Sequence, residues 1–457
     1  MRGGAALRVH FATSEVHPLV KVGGLGDVAQ ALPRALARRG HQVRLYLPRY
    51  DGMPRGHPVT VVRAQAGGVH EEFDVEDQGD HAGVRYYSLA ARHHAGWGRP
   101  EGYVEKNLAL YVLFCRALAA LAARPALRPD VVHCNDWHVG HLPARLKETG
   151  HPARSVMTIH NLAYQGLFPH DTATDLGLAR YGTGNLLAQG IAHADVVTTV
   201  SDRYRSETLT PEWGEGLHEL LAARGDDYHG VLNGVDYAEF DPSTDVHLPA
   251  RFDVDDMSGK AACKSRLQRA AGLAEEPDTP VIAFVGRLVK QKGVELLLSS
   301  VDELAATGAQ FVFVGRGELY EHAFARAARF HAAVGYLPDS TEPAARLAYA
   351  GSDAFLAPSE FEPCGLAPLI ALRYGSVPVV RAVGGMVDTL VRPRRGFSFP
   401  HGRTQDLVST VDDVLKHMRD RPAWNALRAA GMRARFSWDE AAAHYERLYT
   451  GEWKDSA

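Results

Sequence analysis

Residues 281–315 read VIAFVGRLVKQKGVELLLSSVDELAATGAQFVFVG. The stretch opens on five apolar residues, Val281–Val285, and turns at Gly286. A basic segment follows through Arg287, Lys290 and Lys292, then a helical pattern over Gly293–Ala306 and a second apolar run, Gln310–Val314. Short runs that are apolar on both parities, joined by helix-length segments, fit a parallel sheet covered on both faces. Downstream the same grammar predicts strands at Ala332–Leu337, Ala354–Ala357 and Val377–Val380. Helices are expected over Leu319–Phe330, Glu342–Ala350 and Leu366–Tyr374, and helical patterns dominate from Thr404 onward. Upstream it predicts strands at Leu7–Thr13, Gln42–Leu47, Val131–His133, Ser155–Ile159 and Asp195–Val200. Helices are expected at Asp27–Arg39, with a kink at Pro33, and at Asn107–Ala123. The periodicity breaks near Gly225–Gly230. The fold class is therefore α/β, with two doubly wound domains facing one another, and a shared ligand is expected in the cleft at the carboxyl ends of the strands.

Composition agrees with two large domains. The chain has 457 residues, 46% hydrophobic and 23% charged, against roughly 150 residues per typical domain. Fifty Lys and Arg against 54 Asp and Glu leave a formal charge of −4, which gives no bulk reason to expect nucleic acid or an anionic membrane as partner. Cys115, Cys134, Cys263 and Cys364 are far apart and form no Cys-x-x-Cys pair, so neither a disulfide scaffold nor a zinc ribbon is indicated. Met1 to Val9 lacks an apolar signal core and no apolar run approaches bilayer length, so a cytoplasmic protein is expected.

Four segments carry polar chemistry at the ends of expected strands. Lys21-Val22-Gly23-Gly24-Leu25-Gly26-Asp27 follows the first strand. Its glycines allow close backbone approach, its N–H groups and the next helix favour an anion, and Lys21 adds a charge. Arg287 and Lys292 bracket a helix start and suit a diphosphate. Pro358-Ser359-Glu360-Phe361-Glu362-Pro363-Cys364-Gly365-Leu366 puts a carboxylate at a strand end, where it can accept from sugar hydroxyls, and opens a helix at Gly365 and Leu366. Gly384-Gly385 holds the equivalent place after Val377–Val380. In the first half, Asn135-Asp136-Trp137-His138 and His160-Asn161 close two more strands. Each has a plain alternative: an ordinary strand–turn–helix connection, a solvated basic turn, a packed Cys364. His133, His138 and His141 could bind a metal, but their spacing matches no zinc motif; no metal and no cofactor is expected.

Taken together, these segments resemble bacterial glycogen synthase and plant starch synthase, the ADP-glucose-using α-glucan synthases. The likeness runs from Ala12-Thr13-Ser14-Glu15 to about Phe399. It includes Lys21 to Val28, Asn135 to His138, Thr158 to Gly166, Thr210-Pro211-Glu212, Asn233-Gly234-Val235-Asp236, Gly286-Arg287-Leu288, Gln291-Lys292-Gly293, Phe361 to Leu366 and Gly384 to Thr389. The resemblance implies a GT-B fold with two Rossmann-like domains around a deep cleft. It puts an acceptor-binding domain at 1–227, a nucleotide-sugar-binding domain at 228–437, and a final helix, 438–457, back on the first domain. It implies metal-independent transfer of α-D-glucosyl units from ADP-glucose to the non-reducing end of an α-1,4-glucan with retention. Arg287 and Lys292 would then stabilise departing ADP, and Glu362 would position the donor glucose. Asp136, His160 and Asn161 would contact glucose. Lys21, Gly23, Gly24, Asn233, Cys364, Gly365, Leu366, Gly384 and Gly385 would hold the donor. Asp27, Trp137, His138 and Tyr164 would make further acceptor or sugar contacts.

The chain departs from the family pattern in its first half. Tyr103 to Tyr111 lacks the usual Asp and Arg. Ala188-Gln189 stands where a Lys usually precedes Gly190-Ile191, and His170 to Asn185 is short. In the second half Pro368 replaces a usual Gln. The competing readings are a related glucosyltransferase with another acceptor, such as a sugar phosphate, and a glucan- or nucleotide-sugar-binding protein without turnover.

Overall fold

The computed structural model describes residues 6–93, 98, 107–182, 184–339 and 341–453. The segment 103–106, part of the expected family motif, lies outside them. The chain builds two compact units. Unit 1 runs to Asn233 and resumes at Trp438; unit 2 is Gly234–Ser437.

Unit 1 is organised on one nine-stranded sheet. Its strands are β1 (Arg8–Ala12), β2 (Gln42–Pro48), β3 (His57–Ala66), β4 (Val69–Asp80), β5 (Val84–Ala91), β6 (Val131–Asn135), β7 (Arg154–Ile159), β8 (Val196–Thr199) and β9 (Tyr228–Gly230). Their order is β3-β4-β5-β2-β1-β6-β7-β8-β9. From β5 to β9 all neighbours are parallel, as the apolar runs imply. The flank β3-β4-β5 is antiparallel, which corrects the expectation of a purely parallel sheet. The cause is visible in β3, where Val62, Ala64 and Ala66 are buried and Val61, Arg63 and Gln65 are exposed. This strand has one wet face and lacks the two-faced apolar run that marks the others. The pairing of Val197 with Tyr228 makes β9 the sheet's last strand. The boundary between units therefore falls at Asn233/Gly234, not at 227/228 as expected.

Helix α1 (Gly24–Arg38) runs through Pro33 as one element. Helix α2 (Leu108–Ala122) is apolar nearly all round and is buried accordingly. The helix Trp438–Thr450 packs on α1, with Arg38 on Asp439 at 3.0 Å and Glu446 bonded to Arg39 and, at 3.2 Å, to His41. Its inner face reaches the sheet. The Tyr449 hydroxyl meets His133 Nδ1 at 2.6 Å, and His133 Nε2 meets Thr158 Oγ1 at 2.6 Å. Thr158 in turn meets Thr198 at 2.7 Å, and all four residues are buried.

Unit 2 carries β10 (Val281–Val285), β11 (Gln310–Val314), β12 (Val334–Leu337), β13 (Ala354–Ala357), β14 (Val377–Arg381) and β15 (Phe397–Phe399). All pair in parallel, in the order β12-β11-β10-β13-β14-β15. This is the doubly wound 3-2-1-4-5-6 order, whose crevice opens where the order reverses, between β10 and β13. Ile282, Phe284, Phe311 and Phe313 join the core on one face of the sheet. Val281, Ala283, Val312 and Val314 join the core on the other. The expected helix Gly293–Ala306 is split at Ser300 into Val294–Ser299 and Val301–Ala305. The chain enters and leaves unit 2 side by side, the Val235 amide donating to the Phe436 carbonyl at 2.7 Å. Among the described residues, no helix is long and apolar enough to cross a membrane.

Candidate active site

In unit 2 the loops after β10, β13 and β14 converge at the switch point. The loop after β10 brings Arg287 and Lys292 to the carboxyl edge, and the loop after β13 brings Glu362. The Lys292 ammonium donates to Glu362 Oε2 at 2.6 Å, and the Ser359 hydroxyl donates to the same oxygen at 2.9 Å. Glu362 is 8% exposed, so its carboxylate is fixed by a cation and a hydroxyl in a largely dry setting. The two loops are also joined through the backbone, Glu360 N–H donating to the Gln291 carbonyl at 2.9 Å. Gly293, at φ +71°, passes so close that a Cβ would lie 2.1 Å from the Pro358 carbonyl oxygen.

The third loop seals the arrangement. Gly385 N–H donates to the Glu362 carbonyl at 3.1 Å. A Cβ on Gly384 (φ +49°) would lie 1.8 Å from that same oxygen, and one on Gly385 would lie 2.4 Å from the Cys364 carbonyl. Glycine is required at both places by the approach of a neighbouring backbone. Gly365, at φ +85°, caps the helix Leu366–Arg373 without a side-chain hydrogen bond, so the first-turn amides at Leu366 and Ala367 face outward from the helix start. Pro368 sits in that first turn, where its missing N–H breaks no helical bond. Cys364 is buried in the packed loop.

In unit 1 the reversal lies between β1 and β6, and the polar segments gather there. Asp136 follows β6 at φ +59°. Its Oδ1 accepts from the His160 amide at 2.7 Å and so ties the end of β6 to the end of β7. Burial pushes the Asp136 carboxyl up to about 7, against the pull of the His160 and Asn161 amides. The His160 Nε2 meets Asn135 Oδ1 at 2.9 Å, which makes this nitrogen the donor. Desolvation pushes the His160 ring down to about 3, so it is a neutral group at physiological pH. Asn161 Oδ1 accepts from Ala163 N–H at 3.1 Å, closing a turn that leaves Tyr164 partly exposed. Asn233 lies buried three residues beyond β9.

The Gly-rich turn differs from its expected use. The Val22 and Gly23 amides both donate to Glu15 Oε2, the latter at 3.1 Å. They are therefore not open to an anion; the first-turn amides of α1, which has no side-chain cap, are. Lys21 pairs with Asp27 at 2.6 Å. In the sequence Glu15 appears only as the end of Ala12-Thr13-Ser14-Glu15, with no role attached to it.

Two expected sugar contacts are instead core residues. Trp137 is fully buried and His138 nearly so, and their rings stack at 4.0 Å. A Cβ on Gly166 would strike the Trp137 ring at 2.4 Å. His133, His138 and His141 do not gather into a ligand set among the described residues. His133 is bound to Tyr449 and Thr158, and His141 Nδ1 meets Gln189 at 3.0 Å. Gln189, at the position of a family Lys, is thus a buried hydrogen-bond partner.

Residues 8–223 match the family model described as starch synthase catalytic domain, and residues 266–428 match glycosyl transferases group 1. The chain is 43% identical to a glycogen synthase of Anaeromyxobacter sp. (strain Fw109-5), covering 97% of this chain and 99% of that one. It is 38% identical to a glycogen synthase of Moorella thermoacetica, covering 97% and 96%. Among solved structures it resembles the catalytic domain of starch synthase IV from Arabidopsis thaliana, bound to ADP and acarbose, with a TM-score of 0.90, 31% identity and 98% and 99% coverage. A sucrose-phosphate synthase from Thermosynechococcus elongatus shares the fold at 17% identity and a TM-score of 0.67 over 98% and 100% of the two chains. With two Rossmann-like units of the GT-B kind and this identity along its whole length, the chain belongs to the glycogen and starch synthase family.

Proposed function

We propose that this protein is a glycogen synthase that transfers α-D-glucosyl units from ADP-glucose to the non-reducing end of an α-1,4-glucan, with retention. The observation that carries the reading is the switch point of unit 2. There Lys292, Arg287 and Glu362 lie on loops locked together by backbone contacts, in a chain whose relatives are glycogen synthases from end to end. Unit 2 binds most of the nucleotide sugar and unit 1 the glucan.

As the glycosidic bond breaks, the diphosphate gains negative charge and the anomeric carbon gains positive charge. Arg287 and Lys292 stabilise the first, and fixed cations act strongly there because their geometry needs no reorganisation. Glu362, held by Lys292 and Ser359 through Oε2, offers Oε1 to a hydroxyl of the donor glucose. By the family resemblance, Asp136 and the His160 carbonyl are unit 1's contribution to contacts with glucose. The acceptor hydroxyl attacks on the face the diphosphate leaves and passes its proton to the departing phosphate oxygen, so no enzyme nucleophile is needed.

The test is incubation of purified protein with glycogen primer and labelled ADP-glucose or UDP-glucose. Label from ADP-glucose entering polymer, and released by an enzyme specific for α-1,4 links, is expected. Label from UDP-glucose alone overturns the donor. ADP release with unlabelled polymer overturns the acceptor in favour of a small sugar acceptor.

A further inference from the structure

A cavity of about 290 Å³ lies in unit 2 at the amino ends of β10, β11 and β13, the sheet edge opposite the candidate active site. Asp353, the residue before β13, lines it together with Lys264 of the helix Ser258–Ala270. The helices Thr404–Arg419 and Arg421–Arg433 add Arg419 and Arg421, and an apolar lining of Leu415, Met418 and Trp424.

The charges around this cavity do not balance. Asp353 Oδ2 accepts from the Lys264 ammonium at 2.8 Å and from the Val281 amide at 2.9 Å. Its Oδ1 has no bonded partner among the described residues. Arg421 comes only within 3.7 Å of Asp278, and both of those side chains are mostly in solvent. Arg419 has no carboxylate partner among the described residues. Two further cations stand close by. Arg428 donates to Asn425 Oδ1 at 2.8 Å; burial holds its guanidinium down, with Asp353 opposing that fall and Arg421 adding to it. Lys260, 6% exposed, donates to the Ala350 and Tyr374 carbonyls at 2.8 and 2.9 Å. Burial holds its ammonium down to about 7, with Asp353 opposing and Arg428 and Lys264 adding to the fall. Elsewhere unit 2 matches its enclosed arginines with carboxylates. Arg346 meets Glu239 at 3.0 Å and Asp245 at 3.4 Å, and Arg373 meets Asp241 at 2.6 Å. Partly desolvated cations short of carboxylates repel one another, and an anion brought among them offsets that cost.

We propose that this cavity is a second small-molecule site, separate from the catalytic edge, and that it takes a sugar phosphate. Arg419 and Arg421 hold the phosphate, because a guanidinium fork matches its paired oxygens. Asp353 Oδ1 accepts from a ring hydroxyl, and Leu415, Met418 and Trp424 pack on the apolar side of the ring. The volume is at the small end of the range for organic ligands, which suits a hexose monophosphate better than a nucleotide sugar.

The test is calorimetry of the full chain with glucose 6-phosphate, inorganic phosphate and glucose as probes. Glucose 6-phosphate should bind, inorganic phosphate should bind about tenfold more weakly, and glucose should not bind measurably. Arg419→Ala combined with Arg421→Ala should weaken glucose 6-phosphate about tenfold or more, the scale of lost charge-assisted contacts. Both side chains are exposed, so Tm and the initial rate with ADP-glucose should hold. Bound glucose 6-phosphate should also slow hydrogen exchange in peptides of 415–424 and leave those of 286–293 unchanged. Unaltered binding in the double variant, protection confined to 286–293, or no binding of glucose 6-phosphate overturns the inference. Inorganic phosphate or glucose binding as tightly as glucose 6-phosphate overturns the ligand class. If the double variant does not fold, the exchange pattern of the unaltered protein decides.

Discussion

Lys292 neutralises the Glu362 carboxylate and, in the proposed mechanism, also stabilises the departing diphosphate. Its removal leaves Glu362 at 8% exposure with only the Ser359 hydroxyl to satisfy it. Lys292→Ala should therefore lower kcat/KM by about 10²–10³, the range for loss of one fixed electrostatic contact to a developing charge. Adding Glu362→Gln should cost less than the product of the single effects, because the charge stranded by the first change is gone. Steady-state kinetics of the three variants checks both, and full activity in Lys292→Ala would sink the proposed mechanism. The strand-end positions of Arg287, Lys292 and Glu362 were legible in the sequence because each closely follows an apolar run. Trp137 and His138 occupy the same kind of place and were misread. Strand-end position says nothing about whether a ring faces outward or, as here, fills the space above Gly166. Glu15 stood in the sequence only as the end of Ala12-Thr13-Ser14-Glu15, and its partners could not be read there because they are backbone amides, which every sequence possesses.

The elements that matter most for the site are three loops held together by close main-chain approaches and by the Lys292–Glu362 pair. Gly384 is the tightest point of that contact, and a methyl group there would lie 1.8 Å from the Glu362 carbonyl. Gly384→Ala must displace the loop that carries Glu362 or leave its own left-handed conformation. It should cost about 1–3 kcal/mol of stability and about tenfold or more in kcat, with smaller effect on glucan affinity. Thermal melting and initial rates would check this, and an unchanged rate would show that the loops are not held as a set. Five strands of unit 2 could be read from the sequence because both faces of each are apolar. The hairpins β3 to β5 could not be read that way. One face of β3 carries Arg63 and Gln65, and the periodicity that marks such a strand is two, not a continuous run. Strand β15 has three residues, too few to show any period.

At the scale of the whole molecule, the two units differ in how they meet acid. His10, His133, His138 and His141 are buried in unit 1, and desolvation holds each down to about 3. An unfolded histidine takes a proton near 6.5, so the stability these groups represent is intact above that value and is lost as pH falls toward 3. One unit below 6.5 the loss is about 1.4 kcal/mol for each. Glu15 and Asp136, raised to about 7, work the other way and offset part of it. The buried polar residues of unit 2 include no histidine among the described residues. Unit 1 should therefore open first on acidification from pH 7 to 5, seen as early loss of amide protection in its peptides by hydrogen exchange. The helix Trp438–Thr450 gives unit 1 a second peculiarity, one of timing. On the ribosome unit 1 is begun first and completed last. Its sheet emerges by Gly230, yet the helix that carries Tyr449 to His133 follows only after all of Gly234–Ser437 has been made. In the interval His133 lacks the cover of Tyr445 and Tyr449, whereas unit 2 is one unbroken stretch and can close as soon as it is out. A fragment ending at Asn233 should accordingly remain loose until a peptide of residues 438–457 is supplied, and should tighten when it is. Compaction without the peptide would refute that order. The newborn chain thus depends on unit 2 as a folded bead that separates two halves of one core until synthesis brings them together.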